Sequence, residues 1–310
     1  RSTLFPYTTL FRSIEGFKES ARYLVNANQN SIWITHGYKG VFRPFFNPGY
    51  DSVVKIDFYD SKNGFPSNKD ISVFEISNRT VFTTGKGIYK YLEDSNKFVV
   101  DEYFASRISR SDVNILKEDE KGNIWYFTPE KAGVFRIQED GYYTEVEIPF
   151  RVLNEKFLKW FQCVFPFDEK NVFIGTQTGF SHYNPSFQKN YQQPFNAYIR
   201  QVKIDAGIDS VIYKGTSKDE IKTKIPYKYN QLSFEFSAND FENNDRIRFL
   251  TKLQGFNNEW IDMQGSTFRQ FTNLKAGNYV FMLKAINSYG TESKTTTLSF
   301  TIQPPWYSTI

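Results

Sequence analysis

The chain has 310 residues, long enough for two domains with cores of their own, and its 40% apolar and 23% charged content excludes wholesale disorder. With 38 basic and 34 acidic residues the formal net charge is +4, without the concentrated basic stripe of a nucleic-acid binder. A single cysteine excludes an internal disulfide framework and a cysteine-based zinc site, and no run approaches the ~18 apolar residues of a membrane span.

The first thirteen residues, 1–13 (RSTLFPYTTLFRS), resemble a translated sequencing-adapter contaminant and are set aside from fold reasoning. Without Arg1 and Arg12 the 38 basic residues become 36 against 34 acids, a net charge of +2. The native chain is then expected to begin near Ile14, inside a longer protein. The 310 residues are rich in aromatics (32 Phe, 20 Tyr and 5 Trp), which suit pleated, half-buried surfaces and point to an all-β protein.

Four segments repeat one pattern, an aromatic-centred strand, a gap, and a Gly opening a second strand. They read Ile32-Trp33-Ile34 then Gly40-Val41-Phe42, Val81-Phe82-Thr83 then Gly87-Ile88-Tyr89, Ile124-Trp125-Tyr126 then Gly133-Val134-Phe135, and Val172-Phe173-Ile174 then Gly179-Phe180-Ser181. The glycines at 40, 87, 133 and 179 step by 47, 46 and 46 residues, the period of four-stranded propeller blades. The central aromatic is expected to fill the space between blades, and the Gly to let the backbone turn tightly or pass a neighbour closely. Trp33 and Trp125 hold equivalent places, so both are assigned to the core.

These residues resemble the two-component-regulator propeller repeat. Gly64-Phe65-Pro66-Ser67-Asn68 followed by 81–90 matches it, as does 118–137, while the first and fourth repeats are looser. Four blades do not close a propeller of six to eight, so residues 14–193 are expected to form an open arc.

Gln192-Gln193-Pro194 reads as a linker, after which the register disappears. Short alternating runs at 198–204, 211–213, 232–237, 247–253, 279–287 and 298–302 predict a fibronectin- or immunoglobulin-like β-sandwich over 196–304. Within it Phe249, Gly255, Trp260, Phe271, Gly277 and Tyr279, with Pro304-Pro305-Trp306 behind them, resemble the triple-tyrosine (Y_Y_Y) domain of bacterial sensors. Only Tyr279 of the three naming tyrosines is Tyr; Phe249 and Phe271 keep the packing and lose the hydroxyl. The fold class expected is therefore all-β, a partial β-propeller of about four blades followed by a sandwich.

Chemistry-bearing residues are sparse. His36 and His182 sit near blade glycines in what reads as matched repeat positions, outside any metal-ligand spacing. Glu118-Asp119-Glu120 reads as a solvated turn, Gly85-Lys86-Gly87 as a hairpin turn, and Cys163 as a small buried core residue. No catalytic residue, metal site or cofactor is expected, and Trp160, outside the repeat pattern, is the candidate for ligand contact.

The resemblance implies a periplasmic, ligand-sensing fragment of an inner-membrane-anchored regulator, not an enzyme. In such proteins the segment 305–310 is juxtamembrane, with Trp306 and Tyr307 near the bilayer surface, and the sandwich mediates homodimer formation. An oligosaccharide is the implied ligand, and the output is a helix-turn-helix module or a histidine kinase. Alternatives from other classes are a propeller hydrolase or lyase with an accessory sandwich, and a cell-surface carbohydrate-binding module.

Overall fold

A computed structural model describes residues 14–204, 210–215, 224–242 and 246–305. The adapter-like segment 1–13, and with it Trp306 and Tyr307, lies outside the described residues. The chain divides into two compact units, the second beginning at Lys189.

In the first unit each repeat folds as a small antiparallel sheet with strands in sequence order. Blade 1 contains β1 (Tyr23–Asn26), β2 (Ile32–His36), β3 (Gly40–Phe46) and β4 (Val53–Tyr59). Blade 2 contains β5 (Ser72–Ile76), β6 (Arg79–Thr83), β7 (Ile88–Leu92) and β8 (Lys97–Val100), and blade 3 β9 (Ile115–Glu118), β10 (Ile124–Phe127), β11 (Ala132–Ile137) and β12 (Tyr143–Val146). Blade 4 has three described strands, β13 (Val164–Pro166), β14 (Val172–Thr176) and β15 (Gly179–Tyr183). Four blades are thus present, as the 46-residue period predicts.

Packing between blades follows from the two-residue period of the strands, which gives each sheet two apolar faces. Trp33, Val41 and Tyr59 of blade 1 share a core with Val73, Phe82, Tyr89 and Phe98 of blade 2. The other face of blade 2, with Ile76, Val81 and Ile88, meets Leu116, Ile124, Tyr126 and Phe135 of blade 3. Trp125 and Val134 of blade 3 then pack with Val172 and Ile174 of blade 4.

This arrangement corrects the repeat alignment at blade 2. Trp33 and Trp125 face the following blade, as their equivalence requires, but Phe82 faces the preceding one. Val81 holds the position of the tryptophans, because a one-residue slip moves every side chain to the opposite face of a strand. The strand opened by Gly87 keeps the common register, so the slip is absorbed in the variable hairpin at Gly85-Lys86-Gly87, where the Thr84 N–H donates to the Gly87 carbonyl.

The blade glycines serve different ends. Gly40 has φ 128°, and a Cβ there would lie 2.3 Å from the Tyr59 carbonyl oxygen, so both conformation and space demand Gly. At Gly133 a Cβ would meet the Tyr126 ring at 2.5–2.6 Å, a requirement of space alone.

Two further expectations change. Cys163 is exposed, not buried, because its side chain stands over Gly175 on the outward face of blade 4, beside exposed Phe165 and Phe180. His36 and His182 are not matched, since one lies on the second strand of its blade and the other on the third. His36 is buried with Nδ1 accepting from the Tyr38 N–H, whereas exposed His182 pairs through Nε2 with Asn171 Oδ1 at 3.0 Å.

The second unit is a sandwich of two four-stranded sheets. One has the order β17 (Ser210–Lys214), β16 (Ala197–Ile204), β18 (Leu232–Ala238), β21 (Phe268–Phe271), and the other β20 (Ile261–Asp262), β19 (Arg248–Gln254), β22 (Gly277–Ile286), β23 (Thr296–Ile302). Strict alternation along β22 buries Tyr279, Phe281, Leu283 and Ala285 between the sheets. Phe234 and Phe281 stack across the core with centroids 4.1 Å apart.

The family-naming positions Phe249, Phe271 and Tyr279 are all buried. Tyr279 also donates its hydroxyl to the Lys275 carbonyl at 2.8 Å, tying the turn before β22 to the core. Gly255 lies under this ring at φ 96°, where a Cβ would be 2.7 Å from the Asn278 carbonyl oxygen. Trp260 is half-buried with the Lys284 ammonium 5.2 Å from its ring. Tyr279→Phe is expected to lower sandwich stability by about 1 kcal/mol, the usual net value of one hydrogen bond, measured by urea unfolding. An unchanged midpoint would show the hydroxyl to be idle.

Candidate functional site

The acidic turn ahead of β10 is built by one side chain. Asp119 accepts from the Lys121 and Asn123 N–H groups through Oδ1, at 3.0 and 2.9 Å, and from Asn123 Nδ2 and Trp125 Nε1 through Oδ2, each at 3.0 Å. It therefore positions the core tryptophan as well as the loop. Glu118 beside it accepts from the N–H and hydroxyl of Ser77, linking blades 2 and 3, so the run is not merely solvated.

Blade 4 repeats the turn at Asp168, which accepts from the Lys170 and Asn171 N–H groups and the Asn171 amide. The Asn171 amide, with the two N–H groups, holds the Asp168 carboxyl below the usual carboxylate range. Phe173 replaces the tryptophan in this blade, so no indole N–H is available.

Between the two turns opens a cleft of about 470 Å³. Lys121 of one turn bridges to Glu169 of the other at 2.9 Å across its mouth. Phe167 forms part of the wall with its ring 64% exposed, and Ser186, Asn123 and Arg136 add hydrogen-bonding groups. Arg136 Nη2 reaches the Tyr183 hydroxyl at 3.4 Å, and burial pushes that hydroxyl's pKa up, so Tyr183 remains protonated. A volume in the ligand range, one open aromatic face and a surrounding ring of polar groups suit a small polyhydroxyl ligand.

A second, shallower groove of about 590 Å³ is lined by the inner strands β1, β5 and β9, including Leu24, Phe74 and Lys117. Trp160 lines neither cavity. It is held at φ 70° with the Arg22 guanidinium 4.9 Å from its ring, and Arg22 Nη2 donates to its carbonyl. Trp33 and Trp125 are buried between blades, as expected for core positions.

Sequence reasoning missed Phe167, Arg136 and the Lys121–Glu169 bridge. The available signal was the recurrence of an Asp-Glu-Lys turn closed by Asn at 119–123 and 168–171; that the two turns face each other is visible only in the fold.

Against known proteins, the profile of the Y_Y_Y domain matches residues 240–303. No curated protein matches the chain in sequence. Among solved structures, the extracellular domain of the hybrid two-component system BT3049 from B. thetaiotaomicron is similar at 20% identity and TM-score 0.58, over 92% of this chain. The extracellular domain of BT4673 from the same organism is similar at 17% identity and TM-score 0.37, again over 92%. The chain spans only 38% and 43% of those two solved chains. The chain thus carries a Y_Y_Y domain behind propeller blades, the fold of the extracellular domain of a bacterial hybrid two-component system.

Proposed function

We propose that this chain is the extracytoplasmic ligand-sensing part of a transmembrane signal-transduction regulator. The observation that carries the reading is a Y_Y_Y domain following propeller blades that hold a ligand-sized cleft. An oligosaccharide stacks one sugar face on Phe167 and hydrogen-bonds to the turns at Asp119 and Asp168. Two copies pair through their sandwiches, and binding shifts the pair between two arrangements, which requires different ligand affinity in each. The change leaves through β23 and Pro304-Pro305 towards a membrane helix anchoring the periplasmic part in the inner membrane, and a cytoplasmic helix-turn-helix output follows. A histidine kinase is the second reading of that output, favoured by the hybrid two-component system whose extracellular domain this chain resembles. No catalytic step is assigned to the fragment.

The test is a thermal-shift screen of the complete ectodomain against neutral and acidic oligosaccharides. A ligand at 100 times its Kd is expected to stabilise by about 2.7 kcal/mol. Phe167→Ala is expected to weaken that ligand at least tenfold while leaving the unliganded Tm unchanged, because the ring is mostly exposed. Absence of stabilisation by any glycan would overturn the sugar reading, and an unchanged affinity in the variant would move the site elsewhere.

A further inference from the structure

Blades 1, 2 and 3 each end on an outer fourth strand, whereas blade 4 ends at β15, whose outer edge has no partner among the described residues. An open edge presents unpaired N–H and C=O groups, and proteins ordinarily guard it with charge, Pro or a bulge. The outer strands of the first three blades follow that rule, with Lys55 and Asp57 on β4, Lys97 on β8 and Glu145 on β12. β15 reads Gly-Phe-Ser-His-Tyr and carries neither Lys, Asp, Glu nor Pro.

Phe180 supplies a second, independent observation. It follows its blade glycine as Val41, Ile88 and Val134 follow theirs, and those three are 0%, 5% and 1% exposed while Phe180 is 74% exposed. In blades 1 and 3 the fourth strand sets an apolar residue directly opposite this position, Tyr59 against Val41 and Val146 against Val134. The position is built to be flanked, and in blade 4 the flanking strand is lacking among the described residues.

We propose that β15 is an acceptor edge for an extended strand of the same polypeptide lying outside these 310 residues, paired antiparallel with an apolar residue opposite Phe180. The same-polypeptide source follows from the other blades, whose fourth strands are all intramolecular, and from a fold neighbour of which this chain spans only 38%. The inference rests on the reading of the chain as part of a longer sensor, but not on its ligand.

Hydrogen exchange and melting, measured on the longer protein and on the 310-residue chain, test it without any sugar. The amides of 180–183 are expected to exchange at least tenfold more slowly in the longer protein. Phe180→Lys is expected to lower the Tm of the longer protein by about 5 °C or more and to leave the 310-residue chain unchanged. Equal exchange in both, or equal response to the substitution, overturns the proposal. Protection of β15 in a dimer of the 310-residue chain overturns it in favour of a second copy. Slow exchange of β15 in a longer protein that binds no oligosaccharide would sustain the edge and reject only the ligand.

Discussion

Trp33→Ala is expected to destabilise the propeller unit by about 3–5 kcal/mol, the range for deleting a large buried aromatic side chain. The ring is 4% exposed, and four aromatic rings, Tyr59, Phe82, Tyr91 and Phe98, lie with centroids 5.0–5.8 Å from it. The Arg43 guanidinium sits 4.9 Å from its centroid, also buried, and is held by the Ala27 carbonyl, the Ser31 hydroxyl and Glu93. Truncation therefore leaves a cavity and strips one wall from a buried cation, both of which the rigid sheets can relax only in part. Trp33→Phe keeps a ring in the slot and is expected to lose less than half as much. Urea unfolding followed by circular dichroism reads the difference; a loss below about 1 kcal/mol for the alanine variant would mean that blades 1 and 2 are not packed through this residue.

The second large effect is expected at Arg110. Its guanidinium bonds bidentately to Asp112 at 2.8 and 2.7 Å and reaches Glu145 at 3.1 Å and Glu147 at 2.7 Å. Glu145 further accepts from the Ser109 and Tyr126 hydroxyls. Burial pushes the Tyr126 hydroxyl's pKa well up, reinforced by the bond to Glu145, so it stays a donor at every accessible pH. Arg110→Met leaves Glu145 and Glu147 close together without their shared cation, and is expected to lose roughly 2–4 kcal/mol, below the value for a fully buried pair because solvent reaches part of the cluster. Arg110→Met combined with Glu145→Gln is expected to recover part of the loss, which a purely steric defect would not.

The same cluster sets a pH dependence. The Arg110 hydrogen bond holds the Asp112 carboxyl below the usual range. Burial pushes Glu145 up, but the Ser109, Tyr126 and Arg110 bonds together bring it below the usual range. Carboxylates with lowered folded pKa values stabilise fully above their unfolded values near ~4 and lose that contribution as pH falls through the lower folded values. The wild-type propeller unit is therefore expected to lose stability steeply below about pH 4, and Arg110→Met to show a flatter profile there. Parallel profiles would separate these carboxylates from the acid response.

The sequence by itself determined the all-β class, the four blades and the sandwich. Glycines at a fixed period and alternation such as that along 279–285 reflect backbone geometry, which acts locally and leaves its mark residue by residue. The buried roles of Trp33, Trp125, Phe249, Phe271 and Tyr279 were legible for the same reason. Only the tertiary structure decided which blade Phe82 faces, why Cys163 is exposed, and that the Asp119 and Asp168 turns, a whole repeat apart, enclose one cleft. Each depends on register and on what packs across a face. A one-residue slip inside a hairpin, or the absence of a described strand beyond β15, changes burial entirely while leaving the local pattern of residues the same.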